Sequence, residues 1–208
     1  MKYPENILEV GTLLPDYMGF IFWEKSARYF DGIIPELPTR ELGSNWRSKS
    51  IKKVGVFVNE TLAGILEKTQ KHDLQAVQLH GNESVKFCID LKNKMDDSIE
   101  IIKVFSVNDD FDFNDLKPFE TVCDYFLFDT KGKLPGGNGT TFDWKVLEKY
   151  PSTKPFFLSG GIGIEELENV KQVLKTSLPI YAIDVNSKFE IEPGLKNIEL
   201  LKLMVESF

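Results

Sequence analysis

With 208 residues, 42% of them hydrophobic, the chain suits one domain with a sizeable core, and its 16 phenylalanines make that core a thick one. A net charge of -7 and a pI near 5.0 argue against a nucleic-acid partner, so an anionic ligand must be held by local groups. Cys88 and Cys123 form neither a disulfide framework nor a metal spacing and fit a reducing cytosol. No run approaches a membrane span, and no signal-peptide core opens the chain, so the expectation is a soluble cytoplasmic protein without a membrane partner.

In chain order, Pro4 sits in the first turn of a helix running to about Leu14, where its missing N–H costs nothing. Short apolar runs then predict strands over Tyr17–Trp23, Lys53–Asn59, Ala76–His80, Glu100–Val107, Tyr125–Thr130, Phe156–Gly160 and Ile180–Val185. Amphipathic spacing predicts helices between them, over Thr61–His72, Ser84–Met95, Glu165–Leu174 and Leu195–Val205, with another starting at Asp143-Trp144. The β-then-α rhythm implies an α/β fold with a parallel sheet inside and helices outside. The count is about seven strands to eight helices, and the chain starts on a helix. A doubly wound sheet would carry its phosphate loop after the first strand, and nothing there matches. A (β/α)8 TIM barrel places functional groups at the C-terminal ends of its strands and phosphate after the last two, which suits the glycines here. On that reading residues 1–208 form one barrel domain whose first β-strand is absent from the chain.

Candidate chemistry sits where that architecture would put it. The run Phe126-Leu-Phe-Asp-Thr130 delivers Asp129 to a strand end beside a glycine-rich loop; the acid suits catalysis, or equally a helix cap. Gly160-Gly161 lets backbone N–H groups approach a phosphate, and is also an ordinary turn. Ser187 can add a hydroxyl donor to the same anion, although alone it reads as a surface turn serine. Arg28 is a donor fork suited to a carboxylate, or a solvated loop residue. His80 would face the barrel mouth, though a lone histidine is more often structural, and His72 looks like a surface residue. Lys103, inside an apolar strand, is either a site residue or half of an ion pair.

Taken together, Met18-Gly-Phe-Ile-Phe22, Lys25-Ser-Ala-Arg-Tyr29, Val54-Gly-Val-Phe-Val-Asn59, Val77-Gln-Leu-His-Gly81, Phe128-Asp129, Gly136-Gly-Asn-Gly139, Thr141-Phe-Asp-Trp144, Ser159-Gly-Gly161 and Asp184-Val-Asn-Ser187 resemble the phosphoribosylanthranilate isomerases of tryptophan biosynthesis, in order and over nearly the whole chain. The resemblance implies the (β/α)8 barrel and an Amadori rearrangement of N-(5'-phosphoribosyl)anthranilate to 1-(o-carboxyphenylamino)-1-deoxyribulose 5-phosphate. It also implies no metal, no organic cofactor, a small phosphorylated substrate, and a monomer or homodimer. On the match Asp129 is the general acid and Arg28 holds the anthranilate carboxylate. Gly160, Gly161 and Ser187 hold the phosphate, while His80 and Asp184 lie near the substrate. The family's general base is a cysteine on the first strand, in a motif like Lys-Val-Cys-Gly-Met. Met1 stands at that motif's methionine, so the base is expected to be missing from these residues. Ala27, Asn186 and Lys188 stand where the family usually has proline, serine and glycine. Two other readings are a truncated, non-catalytic binder of a phosphorylated ligand and another phosphate-binding barrel enzyme.

Overall fold

The computed structural model describes residues 1–42, 47–130 and 144–208. Seven parallel strands form one curled sheet: β1 (Tyr17–Ile21), β4 (Lys52–Phe57), β5 (Ala76–Leu79), β6 (Glu100–Val107), β7 (Tyr125–Thr130), β8 (Phe156–Ser159) and β9 (Ile180–Ile183), paired in that order. They are the seven predicted strands: β6 and β7 have the expected bounds, the other five end one or two residues early, and β4 also starts one residue early at Lys52. Two small antiparallel ribbons were not predicted: β2 (Thr39–Leu42) with β3 (Arg47–Ser50), and β10 (Glu190–Glu192) with β11 (Leu195–Lys196).

Two-residue periodicity divides each sheet strand between two cores. The inner face carries Val54, Ala76, Ile102, Val104, Leu127 and Phe157, a small cluster filling the sheet's concave side. The outer face carries Phe20, Phe57, Phe126, Phe128 and Phe156, all fully buried in a larger core under the helices. Strands buried on both faces therefore read as continuous apolar runs, which is why they were legible.

The helices are α1 (Pro4–Thr12), α2 (Leu62–His72), α3 (Val85–Lys92), α4 (Leu167–Leu174) and α5 (Ile198–Glu206). Thr61 and Ser84 cap α2 and α3 by accepting the N–H groups of Gly64 and Phe87. Other stretches expected to be helical are shorter. Trp144–Lys149 is a 3-10 turn, Ile164–Glu166 is a 3-10 lead-in to α4, and Asp143 lies outside the described residues. The helix expected from Leu195 begins only at Ile198. Gly194, at φ +90, reverses the chain so that Leu195 and Lys196 pair back on β10, and the Asn197 side chain then caps α5. His72 is also corrected. It is buried rather than exposed, its ring centroid 4.9 Å from that of Phe22 at the end of β1.

The sheet does not close on itself through the pairings of the described strands: β1 and β9 are its two edges. Side chains bridge the seam between them instead. At the strands' N-terminal ends the Tyr17 and Tyr181 hydroxyls are 3.5 Å apart, and the Tyr17 ring packs edge-on to Phe157 at 5.1 Å. At the C-terminal ends Arg28, after β1, reaches Glu190, after β9.

Candidate active site

Inward-facing residues change character along the strands. At the N-terminal end Tyr17 donates to Glu100 (2.9 Å) and Lys52 pairs with the same carboxylate (2.5 Å), so those polar groups satisfy one another. Apolar residues fill the middle. At the C-terminal mouth the same inward positions become His80, Asp129, Ser159 and Asp184, each one residue or one pleat beyond the inner core.

Two pairs organise the mouth. His80 Nε2 lies 3.8 Å from Asp129 Oδ2, beyond direct hydrogen-bond reach, and both side chains are partly exposed to the mouth. The amide nitrogen of Gln78 lies 3.3 Å from His80 Nδ1. That contact orients the ring with Nε2 on the Asp129 side. On the neighbouring strands Ser159 Oγ donates to Asp184 Oδ2 at 2.9 Å. Desolvation pushes the Asp184 carboxyl above the usual carboxylate range. The Ser159 hydroxyl and the Lys196 ammonium pull it back, and the nearby Asp129 charge pushes it up further. Two acids in unlike surroundings are what acid–base chemistry at one pH requires.

Gly160 and Gly161 follow Ser159 with φ values of +97 and +66, left-handed conformations that favour glycine, and the space beside the Gly161 Cα is open. Ser187 starts a 3-10 turn after the adjacent strand β9, and Lys188 pairs with Glu165 at 3.0 Å, tying that turn to the loop after β8. The two loops proposed to hold phosphate are thus neighbours.

Arg28 lies in a tight loop after β1, where Phe30 N–H returns to Ile21 O at 2.8 Å and the Arg28 N–H donates to Ser26 Oγ. Its Nε and one Nη donate to Glu190, leaving the Nη1/Nη2 edge with three N–H groups directed elsewhere. Glu190 also receives Lys196 at 3.0 Å. Burial alone would raise the Glu190 carboxyl, but Arg28 and Lys196 outweigh it and bring it down to about 2. The sequence reading missed both Glu190 and Lys196; Glu190 stands between Phe189 and Ile191 at the start of β10, and no motif marks either residue. Among the described residues no cluster of His, Cys, Asp and Glu could hold a metal ion. Cys88 and Cys123 are buried under the helices, away from this mouth. The glycine-rich stretch from Lys131 to Asp143, which includes the Gly136–Gly139 motif, lies outside the described residues.

Residues 5–207 match the family model for N-(5'phosphoribosyl)anthranilate (PRA) isomerase. This chain belongs to that family. It is 41% identical to the N-(5'-phosphoribosyl)anthranilate isomerase of Parabacteroides distasonis over 99% of this chain and 89% of that one. Among solved structures, the phosphoribosyl anthranilate isomerase of Thermotoga maritima superposes with a TM-score of 0.76 at 29% identity, covering all of this chain and 94% of that one. An isomerase in complex with reduced 1-(o-carboxyphenylamino)-1-deoxyribulose 5-phosphate superposes equally well, at 27% identity and the same coverage. The fold is therefore the family's TIM barrel, and the activity is the isomerisation of N-(5'-phosphoribosyl)anthranilate in tryptophan biosynthesis. No described helix is long and apolar enough to cross a membrane.

Proposed function

We propose the following division of labour for that isomerisation. Asp129 gives its proton to the furanose ring oxygen as the C1'–O bond breaks, and the nitrogen lone pair forms the Schiff base. A base then takes the C2' proton, and the resulting enolamine tautomerises to the aminoketose. The observation that carries this assignment is the position of Asp129 at the C-terminal end of β7, its carboxylate partly exposed in the mouth beside His80, where a sugar oxygen can reach it. Asp184 is the second reading for the acid, favoured by its raised proton affinity. The substrate carboxylate meets the Nη1/Nη2 edge of Arg28, and the phosphate meets the backbone N–H groups after β8 and the Ser187 hydroxyl.

We place the base at the seam between β1 and β9, where the edge of one further parallel strand would lie beside Gly19 and Asp184. The resemblance puts a cysteine there. The enzyme is assigned to the cytoplasm, in keeping with two buried thiols that form no disulfide.

Loss of substrate fluorescence follows the reaction. With a Cys-bearing strand present ahead of Met1, Asp129→Asn should reduce kcat by about 10²–10⁴-fold, while Asp184→Asn should leave a larger residue of activity. The reverse ranking would make Asp184 the acid. Turnover by residues 1–208 alone would move the base to a group already described, with His80 the first to vary.

A further inference from the structure

Behind the mouth lies an ion pair that no step above uses. Lys103 projects from β6 to the outer face of the sheet, and Glu83 sits just ahead of α3. Their side chains are 4% and 2% exposed and 3.1 Å apart. A buried pair of this kind is weak evidence for stability, because desolvation offsets most of the attraction. What distinguishes it is where the remaining hydrogen bonds go. Lys103 Nζ donates to Leu79 O (3.2 Å) and Gly81 O (2.8 Å), the carbonyls on either side of His80, and to Val104 O on its own strand. Glu83 accepts the N–H of Gly81 with both oxygens, at 3.1 and 3.0 Å, and the N–H of Asn59 at 2.9 Å. The Asn59 side chain in turn accepts from Asn82 N–H. No side chain fits at Gly81: a Cβ there would lie 2.6 Å from the Asn59 nitrogen.

We propose that Lys103 and Glu83 are positioning residues for the isomerase reaction, clamping the backbone on both sides of His80 so that its imidazole stays opposite Asp129. This rests on the assignment of His80 and Asp129 to the site. The pair thus fills both roles weighed for Lys103: it is an ion pair, and its object is the site.

Exchanging both residues together, Lys103→Met with Glu83→Met, removes the clamp without stranding a charge, but it leaves the Gly81 and Asn59 N–H groups without their Glu83 acceptor and so lowers stability. The double variant should melt lower than the parent and, at a temperature where both are folded, lose on the order of 10–100-fold in kcat, with KM little changed, because a small misplacement at the chemistry is costly. The chain has only two histidines, so ring NMR signals assigned with His72→Gln report on each separately. The His80 signal should lose its single ordered environment while His72, packed on Phe22, keeps its own. A double variant that keeps both kcat and an unchanged His80 signal would overturn the proposal; should it not fold, Lys103→Met with Glu83→Gln, whose amide oxygen still accepts those N–H groups, is judged by the same two readouts. Parent and variant both carry the Cys-bearing strand ahead of Met1; if that parent shows no turnover, the assignment of His80 and Asp129 to the reaction falls and the His80 signal alone decides whether the clamp exists.

Discussion

The two ends of the seam between β1 and β9 are bridged by different chemistry. At the N-terminal end Tyr17, Tyr125, Tyr181 and Phe157 form an aromatic cluster, with ring centroids of Tyr125 and Tyr181 4.5 Å apart, and Lys52 and Glu100 complete a self-satisfied group. At the C-terminal end the bridge is Arg28 to Glu190, a charged pair that leaves three of the five Arg28 N–H groups outside that pairing. One end spends its polar groups on one another, whereas the other holds groups in reserve. Burial of aromatic surface and matched hydrogen bonds suit a role in stability, and acids with perturbed proton affinity beside an open mouth suit a role in chemistry.

Arg28→Ala should have the largest effect on that contrast. It should weaken ligands carrying an anthranilate carboxylate by about 1.5–3 kcal/mol, the usual range for a charged hydrogen bond, and leave ribose 5-phosphate much less affected. Calorimetric titration with both ligands checks this, and equal losses would confine Arg28 to the seam. At the opposite end Tyr17→Phe removes the hydroxyl bonded to Glu100 and should cost about 1 kcal/mol of stability, with kcat unchanged. A changed kcat there would erase the distinction between the ends.

Two smaller effects depend on pH. The Asp184 carboxyl is raised in the folded state, so its favourable contribution is present at low pH and is lost as pH rises through its folded value. Asp184→Asn should therefore raise the melting temperature at pH 7, with the gain fading as the solution is acidified below the ordinary aspartate range. Glu190 has the opposite sign. Its carboxyl is held at about 2, against an ordinary value of 4.5, so its contribution is complete above 4.5 and is lost as pH falls toward 2. Glu190→Gln should flatten the melting profile across that window, and an unchanged slope would assign the acid sensitivity to other carboxylates.

The sequence by itself determined the seven parallel strands, because their two-sided burial writes continuous apolar runs such as Phe126-Leu-Phe and Phe156-Phe-Leu. It also placed Asp129, His80, Gly160 and Asp184 at strand ends, since in a parallel barrel each strand's C-terminus faces the same mouth. The order of β1 and β9 as the two edges was legible from the strand count as well. Helix lengths were less so: Gly194 and the Asn197 cap moved the start of α5 by three residues, a local turn that overrode an amphipathic pattern. Only the tertiary structure decided which polar residues meet. His72 looked solvated by its neighbours in sequence, yet it lies on Phe22, some 50 positions away in the chain. Arg28 and Glu190, or Lys103 and Glu83, carry no shared period or motif, because their pairing depends on two loops arriving at one point across the fold. Strand formation is dictated by neighbours in sequence and by burial of alternate faces. Charge partnership is settled by distance in space, and that is fixed only when the sheet curls.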